Sequence, residues 1–294
     1  MAQRVSVCIV CSTEFAPEGH VRWTKDGHDI VRCPSCGLLF RRDLPAQAEL
    51  DEIYGLEYFK GGAVGYLDYV ADEDVHRSSA RNRLDALERV VPRGRLLDVG
   101  AAAGFFVDEA RARGWDAFGI DVSEPMVDWG KRTLSAPLER ATLATSGLPA
   151  ASLDALTMWD YIEHSIDPAA DLERVHELLR PGAVLALSTG DAATGVARLS
   201  GSRWHLLTPR HHNFFFTAAT LSRLLVRSGF DVVTLDHRGS RYPLRYLVHK
   251  LRTLVPVRAL DTLTGRLAQG RLGAVALPVN LWDIVTVVAR RAPK

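Results

Sequence analysis

The segment that most constrains this chain is Arg95 to Asp121, RLLDVGAAAGFFVDEARARGWDAFGID. Leu96, Leu97 and Val99 form a short apolar run, as expected of a parallel strand buried on both faces. Gly100 to Gly104 then make a turn of small residues. Phe105 to Arg113 follow at helical spacing, with Phe106 and Ala110 on one face, and Gly114 stops the helix. Ala117 to Ile120 read as a second strand ending in Asp121. This is half of a nucleotide-binding βαβ unit. Small residues let the backbone approach a ligand, the helix start offers N–H groups, and a strand-end carboxylate can hold a ribose diol. The dinucleotide fingerprint G-x-G-x-x-G fails, because its second and third glycine positions are Ala102 and Phe105. Alanine excludes some backbone angles open to glycine, so the loop is expected to differ slightly at Ala102.

The 294 residues can hold one large domain, or one domain and a small module. A formal net charge of +1 gives no overall pull toward nucleic acid or membrane. The N-terminus shows no long apolar core and no small-residue cleavage pattern, which argues against secretion. The most apolar late run, Ala274 to Ala289, is broken by Pro278, Asn280 and Asp283 and is not a membrane span. The expected compartment is the cytoplasm.

All four cysteines fall in the first 36 residues, as Cys8-x-x-Cys11 and Cys33-x-x-Cys36 with 21 residues between the pairs. This is near the spacing of zinc ribbons, in which each turn aims two thiolates at one tetrahedral ion. Two disulfides are the competing arrangement, disfavoured in a cytoplasmic chain with no spare cysteine. Four protein thiolates leave the ion no open position, so the zinc is expected to be structural. Val21 to Trp23 and Asp29 to Arg32 read as ribbon strands. Arg22, Lys25, Arg32, Arg41 and Arg42 are interleaved with Glu14, Glu18, Asp26 and Asp29, a pattern of a solvated surface rather than a nucleic-acid face.

We therefore divide the chain into a zinc-ribbon module over 1–42, linker and lid helices over 43–94, and a main domain over 95–294. Ala46 to Tyr54 reads as a short helix, and a helical pattern runs from Asp72 to Val91. Tyr58, Tyr66 and Tyr69 lie among Gly61, Gly62 and Gly65, which suits either a mobile lid or a packed aromatic anchor. Downstream, Ser123 can cap a helix, and strands are expected at Leu138 to Leu143, Leu153 to Trp159 and Ala183 to Ser188. Asp167-Pro168 opens a helix that Arg180-Pro181-Gly182 breaks. Thr217 can cap a helix over Ala218 to Ser228. Phe230 to Leu235 and Trp282 to Ala289 read as the last two strands.

Asp98-x-Gly100-x-Ala102-x-Gly104 resembles motif I of the class I S-adenosylmethionine (SAM) methyltransferases, commonly D-x-G-x-G-x-G. Asp160-Tyr161-Ile162-Glu163-His164 resembles the D-x-x-E-H segment that ends strand four in that family, and Leu178-Leu179-Arg180-Pro181-Gly182-Ala183 its L-L-K-P-G-G. The resemblance implies an α/β, doubly wound, seven-stranded Rossmann-like sheet with an antiparallel last strand, and SAM as cofactor. It implies that Asp98, Gly100, Ala101, Ala102, Gly104 and Phe105 cradle the cofactor and that Asp121 and Val122 meet its ribose. Leu143 and Leu148 would border adenine, with Thr142, Thr145 and Ser146 available for its polar edge. Trp159 and Asp160 would neighbour the methionine part, and Tyr66 would close over it.

Ligands in such sheets sit outside the carboxyl ends of the strands, so Trp159 to His164 should face the site. His164 is a candidate general base or a structural, hydrogen-bonded histidine. Residues 190–216 form an acceptor loop carrying His205, His211 and His212, read as acceptor contacts or bases. Adjacent histidines on a loop lack a defined metal geometry. Residues 238–278 are expected to be a basic helical insertion. Its stretch 238–271 carries eight Lys or Arg against one acid, Asp261, and suits a solvated lid, an anionic-substrate clamp or a peripheral membrane contact at the inner surface. The expected activity is methyl transfer to a small-molecule or glycan acceptor, at a hydroxyl with histidine as base. The alternatives are a zinc-ribbon RNA methyltransferase, a sugar C-methyltransferase, and a non-catalytic binding protein of the same fold.

Overall fold

The computed structural model describes residues 3–4, 6–46, 69–237, 239–244, 247–248 and 271–292. The expected helix at Ala46 to Tyr54 beyond its first residue, Tyr66 and most of the basic segment 238–271 lie outside the described residues.

The N-terminal module contributes strands β1 (Val21–Lys25), β2 (His28–Arg32) and β3 (Leu39–Arg41). Helix α1 (Glu73–Leu87) buries Ala80, Leu84 and Leu87, one stripe of an otherwise polar helix. Then come β4 (Arg95–Val99), α2 (Phe105–Ala112), β5 (Asp116–Asp121), α3 (Glu124–Leu134), β6 (Leu138–Arg140) and β7 (Leu153–Trp159). Helix α4 (Pro168–Leu178) leads into β8 (Leu179–Gly190), and α5 (Gly195–Ser200) precedes the short β9 (Phe214–Phe215). Helix α6 (Ala218–Arg227), β10 (Phe230–His237) and β11 (Ile284–Arg291) complete the main body.

The main sheet has seven strands in the order β10-β11-β8-β7-β4-β5-β6. Only the pairings of β11 with β8 and β10 are antiparallel; the rest are parallel. From β4 the chain winds outward to β5 and β6, then crosses back to β7 and β8. The order therefore reverses between β4 and β7, and in doubly wound sheets the ligand crevice opens at that reversal. Leu96, Leu97, Ala155 and Leu156 are fully buried because helices cover both faces, which is why these strands read as continuous apolar runs.

Several local expectations change. The fifth strand begins at Leu179, not Ala183, because Pro181-Gly182 forms an irregularity within an extended strand, with Gly182 at φ +80°. Ser123 holds the N-cap position of α3, yet its side chain makes no cap; its N–H instead donates to Asp121. Thr217 caps α6 through a reciprocal box with Thr220, and Asp167 caps α4 through Ala170 N–H. The ends of the expected basic helical insertion are not helical: Ser240–Pro243 and Ala276–Val279 pair as antiparallel strands. Among the described residues no helix is long and apolar enough to cross a membrane.

The acceptor loop is more ordered than its sequence suggests. It contains α5, and its end, β9, pairs antiparallel with β3, so Phe214 faces Phe40 and Phe215 faces Leu39. The four-stranded sheet β9-β3-β2-β1 thus joins the ribbon to the main body. Strand alternation splits the phenylalanine trio: Phe214 and Phe216 enter the central core, and Phe215 packs with Ile30, Trp204 and Leu207.

Candidate active site and metal centre

The two Cys-x-x-Cys turns are built alike. Ser12 N–H donates to Cys8 C=O at 2.8 Å and Gly37 N–H to Cys33 C=O at 3.0 Å, with Ser12 and Gly37 both in the left-handed region. Cys8 N–H and Cys33 N–H close the two turns on Thr13 and Leu38 C=O. The four Sγ atoms lie within 4.8 Å of one another, with Cys8–Cys36 and Cys11–Cys33 at 3.5 Å. Zinc–sulfur bonds of about 2.3 Å in a tetrahedron separate sulfurs by roughly 3.8 Å, so the donor set fits such an ion.

At the carboxyl edge of β4 the small-residue loop is pinned from below. Gly100 and Ala101 N–H donate to Ile120 C=O at 2.9 and 3.1 Å, and Ala102 N–H donates to Asp121 Oδ2 at 2.8 Å. Gly100 sits at φ +75°, and a Cβ there would approach the Tyr161 ring to 3.0 Å. Ala102 takes φ +47°, so the alanine adopts the left-handed turn rather than avoiding it. Asp121 Oδ1 accepts Ser123 N–H at 2.8 Å. Burial pushes the Asp121 carboxyl up, opposed by the backbone donors at Ser123, Ala102 and Val122. Each carboxylate oxygen retains a further lone pair, which a vicinal diol can use. Asp98 lies below the loop, accepting Thr157 Oγ1–H at 2.6 Å, and burial raises it to about 7.

Phe105 stacks at 5.7 Å on His76, which stacks at 4.0 Å on Tyr69; its ring is core, leaving its N–H at the helix start as the group able to meet a ligand. Leu143 is buried and Leu148 half-buried, while Thr142 and Thr145 bond each other. Ser146 Oγ donates to Leu143 C=O. Two buried polar atoms beside this crevice, Ser123 Oγ and Trp159 Nε1, have no hydrogen-bond partner among the described residues.

Beyond β7, Asp160 is held at φ +53°, a conformation that in a non-glycine residue stores about 1–3 kcal/mol and persists only where the surroundings enforce it. Here Ser188 Oγ donates to Asp160 Oδ1 at 2.7 Å, Asp160 N–H donates to Ser188 C=O at 3.0 Å, and Arg83 from α1 pairs with Oδ2 at 2.8 Å. The same guanidinium lies 4.7 Å from the centre of the Trp159 ring.

His164 and His212 meet edge to face, 4.7 Å between ring centres. His164 Nδ1 bonds His211 C=O at 2.9 Å and His212 Nδ1 bonds Leu206 C=O at 2.8 Å. A carbonyl can only accept, so each neutral ring carries its proton on Nδ1 and its lone pair on Nε2. Burial lowers His164 to about 4 and His212 well below its ordinary value. Glu163 offers a donor atom within 4.8 Å of both, and burial next to Asp160 raises it to about 8. His211 enters this group through its carbonyl; burial and then Arg210 lower its ring to about 4. His205 turns to Asp283, at 3.5 Å, beside Trp204, whose Nε1 donates to the same carboxylate.

The methyltransferase-domain family model matches residues 71–235, more than half of the chain. This chain belongs to that methyltransferase family. It is 27% identical over 160 residues to the ubiquinone biosynthesis O-methyltransferase of Psychrobacter arcticus, covering 49% of this chain and 62% of the relative. To the biotin biosynthesis bifunctional protein BioHC of Cellvibrio japonicus it is 24% identical, covering 66% of this chain and 39% of that protein. The chain thus spans less than two thirds of the length of either relative. A SAM-dependent methyltransferase from Archaeoglobus fulgidus shares the fold, with a TM-score of 0.51 at 15% identity over 76% of this chain and 98% of that one.

For a member of this methyltransferase family, the residues that motif reading passed over are Arg83, Ser188, Asn213 and the pair Asp191–His237. His237 Nε2 meets Asp191 Oδ2 at 2.7 Å at the ends of β10 and β8. Glu163 had a signal of its own, a carboxyl at the end of an apolar strand. Arg83 and Ser188 lie on an expected helix and an expected strand, but only tertiary packing brings both to Asp160.

Proposed function

We propose that the chain is a SAM-dependent methyltransferase acting on a hydroxyl of a small-molecule or glycan acceptor. One observation carries this reading. The small-residue loop with Asp121 and the Asp160–His164 loop flank the same reversal point of the sheet, one side able to hold a nucleoside and the other a base. Bound SAM supplies a methyl carbon on a sulfonium whose leaving group is a neutral thioether. Asp121 would take the ribose hydroxyls, and the N–H groups of the loop and of Phe105 would line the crevice. Arg83 offers a cation for the cofactor's carboxylate at the Trp159–Asp160 edge. Ala102 keeps the left-handed turn, which favours a loop competent to bind over a degenerate one.

His164 Nε2 would accept the acceptor's hydroxyl proton as the oxygen–carbon bond forms, because burial keeps the ring neutral at pH 7. Glu163 lies beside it, and burial next to Asp160 raises its carboxyl to about 8, so at pH 7 it stands there mainly as a neutral hydrogen-bonding group. His212 is the second base candidate, while His205 and His211 serve as acceptor-side contacts. Zinc on Cys8, Cys11, Cys33 and Cys36 would be structural. The printed activity of the Psychrobacter relative, an O-methyltransferase, supports the hydroxyl as acceptor atom. The ribbon sheet is occupied by β9, which supports a role within the fold over one in RNA binding. The test is labelled-methyl transfer from SAM into a small-molecule extract, with the product located by mass spectrometry. No calorimetric binding of SAM would end the reading.

A further inference from the structure

The ribbon and the candidate base share one residue. Asn213 Nδ2 donates to His164 C=O at 2.8 Å and to Ser165 C=O at 3.2 Å, and its backbone N–H donates to Glu163 C=O at 2.7 Å. Its own C=O accepts Arg41 N–H at 2.8 Å, from the end of β3. On the ribbon side, β3 begins one residue after Leu38, whose C=O closes the Cys33 turn. Phe40 and Phe214, ring centres 6.3 Å apart, belong to the same buried core as Cys8, Cys33, Met158 and Ile162. Asn213 is itself 1% exposed, so these bonds form away from competing water.

We propose that Asn213 is a positioning residue that clamps the Glu163–Ser165 loop to the four-cysteine ribbon, so that the ion held by the ribbon sets the aim of His164 without touching the reactants. This rests on the methyltransferase reading above for its consequence in turnover, but not for its structural half. The ring of His164 is oriented from two sides, by its backbone, which Asn213 holds, and by His211 C=O, two residues earlier on the same strand entry. A β3 strand that loses its anchor at Cys33 moves both. Misplacing a reacting group by about 1 Å lowers rate on the order of 100-fold, so the coupling is kinetically large. The cofactor half of the edge makes no hydrogen bond to Asn213 and should not respond.

The experiment compares full-length wild type with Asn213→Ala, Asn213→Asp and Cys36→Ser, all with SAM present. Asn213→Asp keeps the volume but replaces the donating amide by an acceptor. Hydrogen exchange of peptides covering 160–166 should speed about 10-fold or more in all three variants, and in wild type stripped by a chelator. With the acceptor fraction identified by labelled-methyl transfer, kcat should fall roughly 10- to 100-fold while the KM for SAM stays within about 3-fold. Cys36→Ser and chelation provide the result even where an Asn213 variant folds poorly. Unchanged exchange at 160–166 on metal loss, or Asn213→Asp behaving as wild type, overturns the clamp. If wild type binds no SAM, the methyltransferase reading fails while the exchange measurements still decide the clamp.

Discussion

The two halves of the carboxyl edge are built in opposite ways. On the β4–β5 side, residues 98–121 form the loop and ribose part of the candidate cofactor cradle, and its pinning bonds stay within that one segment: Gly100, Ala101 and Ala102 to Ile120 and Asp121. On the β7–β8 side, the candidate base is placed by segments far apart in the chain: the loop after β7, the strand entry at 211–214, and β3 of the ribbon. The first half can therefore be kept by conserving one short segment. The second half depends on tertiary pairing and on whatever holds the ribbon together. That difference predicts that affinity for the cofactor and turnover should fail separately.

The largest effect is expected at His164. His164→Asn should lower kcat about 100- to 10,000-fold, as for loss of a general base, with SAM affinity within a few-fold by calorimetry. A variant that keeps its turnover would take His164 out of the chemistry and leave His212 to be tried. Asp121→Ala should do the reverse. It removes two buried charge-assisted bonds, each worth about 1.5–3 kcal/mol, which both hold the loop and leave lone pairs for a diol. SAM binding should weaken about 30-fold or more. Equal losses of affinity and kcat in both variants would show that the edge behaves as one unit.

How far each half was legible follows from the same contrast. Leu153–Trp159 emerges at its expected bounds because a strand buried on both faces is a continuous apolar run between turn residues. Motif I and Asp121 lie on adjacent strands for the same local reason. Pro181-Gly182 misleads, since the pair usually punctuates structure and here sits as an irregularity inside β8. Phe214 and Phe215 carry no sign that they pair with Phe40 and Leu39, because cross-strand partners so distant in sequence are set by the packed core. The separation of His205 from His212 is hidden likewise: His212 joins His164 because Leu206 C=O orients its ring, while Asp283 from the start of β11 takes His205.

A smaller effect concerns pH, and belongs to the cofactor side. His76 lies between Tyr69 and Phe105, and burial, then the Arg83 charge, lower it from 6.5 to about 4. Below pH 6.5 the unfolded chain takes up a proton that the native ring refuses, so stability falls as pH drops from 6.5 toward 4. The loss should reach on the order of 2 kcal/mol, measured as the urea midpoint across that window. His76→Gln should remove that share of the slope and leave the part that the likewise depressed His164, His211 and His212 contribute. A wild-type minus His76→Gln difference that does not change between pH 6.5 and 4.5 would mean that the stack opens and hydrates.

The smallest effect is expected at Ala102, and it separates a working loop from a relic. At φ +47° an alanine carries about 1–2 kcal/mol of left-handed strain that glycine would not. Replacing it by glycine also frees the unfolded chain, which costs about 0.4–1 kcal/mol. The two terms nearly cancel, so Ala102→Gly should shift stability by less than about 1 kcal/mol and SAM affinity by no more than about 3-fold. The left-handed turn already exists, and Asp121 already receives the Ala102 N–H at 2.8 Å, so glycine has no missing geometry to restore. A 100-fold gain in SAM affinity would show instead that the alanine had disabled the cradle. In that case the cofactor half, not the acceptor half, would be the part of this edge that the chain has let lapse.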